Sequence, residues 1–186
     1  MGNFYVNYTL RGPSQEAAAN ALTGRNAIVT PVKDGCVVVF DEQSDEQDTE
    51  VIADLAKHLS RECNCPVWAV LNHDDDVFWY QLHVVGELVD EYDSSPGYFD
   101  ATEPSPPKGG DAQKLCSAFG ASKVAEVDRV LRTPVIGGYL FAIQRHDDLV
   151  NLLGIPSFGV GSGYDSVAAG EETAGLEEED LVRVHE

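Results

Sequence analysis

The apolar and polar residues of the first hundred positions either alternate or run together, and both patterns predict β-strands. Phe4 to Leu10 alternates, which predicts a half-buried strand. Residues 66–71, PVWAVL, form a continuous apolar run typical of a strand covered on both faces. Residues 77–84 and 88–92 predict the two strands of a β-hairpin, and Lys-Asp-Gly at 33–35 predicts the turn of an earlier hairpin.

Two other stretches have apolar side chains at helical spacing. Ser14 precedes the alanine-rich residues 15–22, which predicts an N-capped helix. Residues 51–60 repeat apolar side chains at intervals of three and four, which predicts an amphipathic helix. Ser44 and Gln47 have the spacing of a capping box just before this second helix.

The predicted elements follow the order strand, helix, strand, strand, helix, strand, and then a hairpin. This order predicts an α+β fold with a ferredoxin-like β-α-β-β-α-β antiparallel sheet. We expect the hairpin to extend the sheet and both helices to pack on one face. Residues 1–100 make up this predicted sheet domain, and the Pro- and Gly-rich residues 101–110 predict a linker.

Residues 111–186 contain only short patterns, which predict a mostly helical extension that packs on the sheet and does not fold independently. Asp111 and Ser122 each precede a helical pattern and are predicted N-caps. The residues 139–143, YLFAI, predict a strand, and residues 146–154 predict a short helix that ends at its terminal glycine.

Composition restricts the possible partners. The 186 residues carry a formal net charge of −20, which disfavours nucleic acids and anionic membranes because both are bound through cations. The charge permits plain solubility, a basic partner protein or divalent cations. No apolar run approaches the ~20 residues of a membrane span, the first residues have a strand pattern rather than a signal core, and the four cysteines are scattered. These features predict a cytoplasmic protein.

One acidic turn is a candidate metal site. His73, Asp74, Asp75 and Asp76 offer ligands suited to calcium or magnesium. The alternative is a solvated turn between two strands, because consecutive residues point in different directions and the EF-hand spacing is absent. The string His146-Asp147-Asp148 repeats the same residue types, although helix capping also explains these two aspartates.

Two other motifs lack the spacing that known chemistry requires. Cys63-Asn64-Cys65 is not a Cys-x-x-Cys redox motif, and no second pair completes a zinc site. Residues 157–163, SFGVGSG, are not followed by the Lys-Ser/Thr of a phosphate-binding loop. They predict a structural loop in which backbones approach closely, and Ser162 has no hydrolase context. No organic cofactor is predicted.

Aromatic residues are numerous around the predicted sheet. On a solvent face with a charged rim, such residues mark a partner-binding surface, and in the interior they are core. Trp79, Tyr92 and Tyr98 are the candidates for a partner surface, with core packing as the alternative.

The segments WYQLHVVGELVDEYDSSPGYFD and LLGIPSFGVGSGYDSV resemble segments of uncharacterised bacterial proteins. This group has no assigned activity. The resemblance implies a bacterial cytoplasmic origin and implies no catalytic residues.

Three functions are compatible with the sequence. The first is a non-enzymatic interaction module whose acidic surface and aromatic sheet bind a basic or amphipathic protein, or a second copy at a sheet edge. The second is a metal-dependent or acid–base enzyme that uses His73, Asp75 and Asp76 with Asp90 or Asp93. The third is an acidic inhibitor that mimics nucleic acid. The sequence does not decide whether the protein is an enzyme.

Overall fold

The computed structural model describes residues 2–100, 105–135, 137–171, 173 and 175–185. The strands are β1 (Tyr5–Arg11), β2 (Ala27–Val29), β3 (Cys36–Asp41), β4 (Pro66–His73), β5 (Val77–Val84), β6 (Glu87–Asp93), β7 (Lys108–Gly109) and β8 (Val182–Val184). The α-helices are α1 (Gln15–Asn20), α2 (Thr49–Glu62), α3 (Ala112–Phe119), α4 (Val124–Arg132), α5 (Ala142–Leu153) and α6 (Tyr164–Ala168). Short 3₁₀ helices span Glu42–Glu46, Ser157–Gly159 and Glu178–Asp180.

Within the described residues, the eight strands form one sheet in the order β7-β6-β5-β4-β1-β3-β2-β8. Every neighbouring pair is antiparallel, so the predicted α+β class and the antiparallel sheet are confirmed. The hairpin β5–β6 lies beside β4 in the sheet.

The two edges of the sheet come from segments without a strand pattern. At one edge, β7 pairs Lys108 with Asp93 and lies within the predicted linker 101–110, of which residues 101–104 are outside the described residues. At the other edge, β8 pairs with β2. The division of the chain into domains at 100 and 111 stays a prediction.

One face of the sheet is covered by α1 and α2. Side chains of β1, β3 and β4 pack there against the apolar stripe of α2, whose inward residues include Ile52, Leu55 and Leu59. Ser14 caps α1 as predicted, because its side chain accepts a hydrogen bond from Ala17 N. The capping-box prediction at Ser44 was wrong: Ser44 is buried in a 3₁₀ helix, and Asp48 caps α2.

The opposite face is covered by the C-terminal helices. Trp68, Phe78 and Tyr80 lie in one apolar cluster with residues of α3, α4 and α5. The expectation that β1 is half-buried was wrong, because this second layer buries the alternate side chains of the strand as well. Tyr5, Asn7 and Thr9 are therefore as inaccessible as Val6 and Leu10.

Two local predictions in the C-terminal part were wrong. Residues 139–143 do not form a strand, since α5 already begins at Ala142, whose backbone N–H donates to Asp75 O at 2.6 Å. The side chain of Ser122 does not cap α4, whose N-cap is Lys123. Asp111 caps α3, and α5 ends at Gly154 in the left-handed conformation, as predicted.

In the described parts of the chain, no helix has the length and apolar character needed to cross a bilayer.

Candidate functional site

The β4–β5 turn contains the three consecutive aspartates of the predicted metal site. Asp74 and Asp75 have φ angles of 51° and 59°, in the left-handed region. Aspartate tolerates this region better than most residues, because its short polar side chain bonds to nearby backbone. The acidic composition of the turn therefore has a conformational explanation that requires no ligand.

The carboxylates of Asp74 and Asp75 are hydrogen bonded to the N-terminal arm that precedes β1. Gly2 N donates to Asp74 Oδ1 at 3.0 Å. Asn3 donates to Asp75 Oδ2 from its backbone N at 3.2 Å and from its side chain at 3.0 Å. Asn72 Nδ2 donates to Asp75 Oδ1 at 3.0 Å. These two carboxylates therefore hold the N-terminal arm against the turn.

The other two residues of the predicted metal site point elsewhere. His73 Nδ1 lies 2.7 Å from Gln47 Oε1, and Asp76 Oδ2 accepts a hydrogen bond from Tyr98 OH at 2.8 Å. Within the described residues, no group of three or more His, Cys, Asp or Glu side chains is arranged to hold a metal ion. Calcium or magnesium binding at residues 73–76 stays a prediction.

The carboxylates that the enzyme hypothesis added are also engaged with nearby groups. Asp90 Oδ2 accepts hydrogen bonds from Tyr80 OH at 2.7 Å and from Asp111 N at 2.8 Å. Asp93 Oδ1 accepts from Ser95 N at 2.8 Å, and burial raises the pKa of its carboxyl group. Both therefore anchor the segments that follow the hairpin.

The turn is surrounded by exposed aromatic side chains. Phe4, Tyr98 and Phe99 are 54%, 39% and 73% exposed, and each packs edge-on against the ring of His73 at centroid distances of 4.9, 6.0 and 5.0 Å. We call Phe4, His73, Tyr98 and Phe99 the aromatic patch. Exposed apolar side chains that group in this way are typical of interaction surfaces.

Further apolar side chains border the same turn. Leu140 and Phe141 are both exposed, and they immediately precede Ala142, which donates its backbone hydrogen bond to Asp75 O. The local pattern of residues 139–143 predicted a strand and gave no sign of this position. The hydrogen bond that joins the start of α5 to the β4–β5 turn is what places these residues near the turn.

An acidic groove lies next to the aromatic patch and shares Phe4 with it. Its volume is about 760 Å³, and its carboxylates are Glu42, Asp45, Glu46 and Asp165. Asp45 accepts a hydrogen bond from Asp165 N at 2.9 Å. Burial raises the pKa of the Asp45 carboxyl group to about 6. The spacing of Ser44 and Gln47 predicted a helix start here, and no pattern in the sequence indicated the groove.

The structure separates the three predicted partner-surface residues. Tyr98 belongs to the aromatic patch. Trp79 is partly buried and packs on the sheet face that α2 covers. Tyr92 is only 1% exposed and donates a hydrogen bond from its hydroxyl to Leu131 O at 2.9 Å. Tyr92 is therefore core, because α3–α5 cover the face of β6 on which it lies.

The second His-Asp-Asp string is not part of this surface. His146 is buried, and its Nδ1 lies 2.8 Å from Tyr5 OH. Its ring contacts those of Trp68 and Phe78 at centroid distances of 5.5 and 5.3 Å. Burial lowers the pKa of His146 to about 3, so its imidazole is neutral at neutral pH.

The glycine-rich loop lies directly on the sheet. Asn7 Nδ2 donates to the carbonyl oxygens of Gly159 and Ser162 at 2.7 and 2.9 Å. A Cβ atom on Gly159 would lie 2.5 Å from Asn7 Oδ1, so only glycine fits. This agrees with the prediction of a structural loop with closely approaching backbones.

Comparisons with known proteins supply no activity: no family model, no curated protein and no solved structure matches the chain.

Proposed function

We propose that this protein is an interaction module that binds a basic segment of a partner protein through the aromatic patch and the adjoining acidic groove. The observation that carries the proposal is the grouping of Phe4, Tyr98 and Phe99 around His73, next to a carboxylate-lined groove that Phe4 also lines. Apolar anchors bordered by charge are a common design of interaction surfaces.

The chemistry of the partner follows from the charges. The groove presents four carboxylates, and the net charge of the chain is −20. Lysine or arginine side chains complement the groove, and electrostatic attraction raises the association rate. An aromatic or aliphatic side chain next to those cations complements the patch. The partner is therefore a protein segment with mixed basic and apolar residues.

The sheet brings the segments that form such a surface together at one end. We propose that β1–β4 with α1 and α2 form a ferredoxin-like split β-α-β-β-α-β unit that the hairpin and the C-terminal helices extend. The arm before β1, the β4–β5 turn and the start of α5 then meet at one end of the sheet. The divalent-metal and nucleic-acid-mimic hypotheses stay predictions, and no specific contact among the described residues favours either.

A synthetic peptide that alternates lysine with leucine and tryptophan tests the proposal, with a glutamate-for-lysine peptide as its control. Heteronuclear NMR should map the basic peptide to residues 4, 42–46, 73 and 98–99. The double variant Phe4→Ser, Phe99→Ser should weaken binding at least tenfold, about 1.4 kcal/mol. Leu88→Ser is the matched control, because Leu88 is 49% exposed on β6.

Charge reversal separates the two halves of the surface. Glu42→Lys with Glu46→Lys should weaken the basic peptide and remove most of the salt dependence of its binding, because fewer carboxylates remain to attract it. Equal binding of the acidic peptide, or an unchanged affinity in the Phe4→Ser, Phe99→Ser variant, would overturn the proposal.

A further inference from the structure

Two cysteines lie one residue apart where α2 ends. Cys63 is the C-cap residue of α2 and is partly exposed, whereas Cys65 is buried just before β4. The intervening Asn64 has a φ angle of 49°, in the left-handed region. Both side chains lie at the apolar cluster between α2 and the sheet, Cys65 within it and Cys63 packed against it.

The geometry is compatible with a covalent bond between the two sulfur atoms. A helical turn of either hand places Cα atoms two residues apart at about 5.5 Å, and disulfides span Cα separations of about 4.4–6.8 Å. The one hydrogen bond of the Cys63 thiol that the structure describes is a long one, 4.0 Å, to Ala17 O. Forming a disulfide therefore disrupts little of the surrounding structure.

The two thiols have different properties. The neighbouring Cys65 thiol lowers the pKa of the Cys63 thiol, against the opposing effects of burial and Glu62. The neighbouring Cys63 thiol, together with burial, raises the pKa of the Cys65 thiol. Cys63 is also the more accessible of the two. Accessibility and thiolate character both favour Cys63 as the residue that meets an oxidant.

We infer that Cys63 and Cys65 form a redox site that a hydroperoxide oxidises to an intrachain disulfide. The Cys63 thiolate attacks the peroxide oxygen, forms an S–O bond and breaks the O–O bond, which releases an alcohol or water after protonation. Cys65 then attacks Cys63 Sγ, forms the S–S bond and displaces the oxygen as water with the proton of its own thiol. The two thiols lose two electrons, and the hydroperoxide gains them.

The other two cysteines make useful controls. Cys36 is buried in β3, and Cys116 is buried in α3. Neither has the exposure of Cys63. Cys36 is near enough to Cys65 to influence its ionisation, so a Cys36–Cys65 disulfide is the competing product that the experiment must distinguish.

The test uses the full-length reduced protein, hydrogen peroxide and mass spectrometry after thiol alkylation and tryptic digestion. Cleavage after Arg61 and Lys108 gives one peptide that contains both Cys63 and Cys65 and neither of the other cysteines. We expect this peptide to lose two hydrogen atoms and to regain them with dithiothreitol. A peptide cross-linked to the one containing Cys36, or a Cys63 sulfinic acid without disulfide, would overturn the inference.

Variants identify the role of each sulfur. Cys65→Ser should stop the reaction at a Cys63 sulfenic acid that dimedone captures, and Cys63→Ser should abolish the disulfide. Cys116→Ser should oxidise like the parent protein. Circular dichroism checks that each variant folds, and the peptide map of the parent protein decides the question even if a variant does not.

Discussion

The string His-Asp-Asp occurs twice in this chain, and the two copies have opposite environments. His73 lies at an exposed turn with its ring against Phe4, Tyr98 and Phe99. His146 lies in the interior, where only burial accounts for its lowered pKa. Identical local sequence therefore has different chemistry in the two places, because the surrounding layers decide how much water reaches each ring.

Secondary structure explains the divergence. In the β4–β5 turn, the aspartates fold back on the N-terminal arm and leave the histidine at the rim. In α5, successive side chains are 100° apart, so His146 faces the sheet while Asp147 and Asp148 face solvent. The exposed Asp148 accepts a hydrogen bond from Tyr139 OH at 2.6 Å. The first string contributes to a surface, and the second contributes to a core.

The largest expected difference between the two strings is in the stability of the alanine variants of their histidines. His146→Ala should destabilise the protein by about 2–4 kcal/mol, because it leaves a cavity and an unpaired Tyr5 hydroxyl. His73→Ala should cost about 1 kcal/mol or less, since its ring is only partly buried. Urea denaturation followed by circular dichroism measures both. Equal costs would contradict the assignment of one histidine to the core and the other to the surface.

Acid titration tests the burial of His146. The pKa of His146 is lowered to about 3 in the folded state, and the unfolded value is about 6.5. Between pH 6.5 and about pH 3, the unfolded chain binds a proton at this histidine that the folded protein does not bind. The free energy of unfolding therefore falls by up to about 1.4 kcal/mol for each pH unit of acidification in this range. Unfolding midpoints from pH 7 to 4 should show this slope, and His146→Gln should reduce it.

Asp45 works in the opposite direction and provides a check on that slope. Burial raises the pKa of its carboxyl group to about 6. Protonation of Asp45 therefore adds to the stability of the folded state below about pH 3.8, and this stability is lost as pH rises through 6. Asp45→Asn removes the opposing effect, so the protein should lose stability more steeply as the pH falls. A variant that flattens the loss instead would show that the two groups are misassigned.

The aspartates of the two strings should also differ, by a smaller amount. Asp75→Ala removes the acceptor of three hydrogen bonds and places alanine at a φ of 59°, which we expect to cost about 1–2 kcal/mol. Asp147→Ala changes an exposed side chain and should stay within about 0.5 kcal/mol. Thermal melts compare the pair, and a larger effect at Asp147 would refute the distinction.

The smallest expected effect concerns the rim of the aromatic patch. Tyr98→Phe removes the hydrogen bond to Asp76 but keeps the ring, so stability should change by about 0.5 kcal/mol or less because the bond is exposed to water. Binding of the basic peptide should stay within twofold. Tyr98→Ser should weaken that binding, which separates the ring from the hydroxyl as the contributing group.

The sequence was informative about elements whose signals are local. Ser14 and Asp111 predicted helix starts because their side chains satisfy free N–H groups within the same turn. Residues 77–84 form β5 as their pattern predicted, with the neighbours Phe78 and Trp79 on opposite faces of the sheet. The failure at residues 139–143 occurs where a contact from elsewhere in the chain, Asp75 O with Ala142 N, competes with local preference.

The candidate surface was only partly predictable for the same reason. The Asp-rich turn and Tyr98 were identified from residue type, but Phe4 had the pattern of a core strand. Leu140, Phe141 and the groove carboxylates had no local signal at all. Their common location depends on which distant segments meet at one end of the sheet.

The sequence by itself determined the α+β class, the antiparallel sheet and the net charge of −20, because periodicity and charge can be read from local sequence. Only the tertiary structure decided which histidine is buried, that both faces of the sheet are covered, and that Phe4, Tyr98 and Phe99 meet beside a groove. These features arise from packing between residues far apart in the chain, which local patterns do not encode.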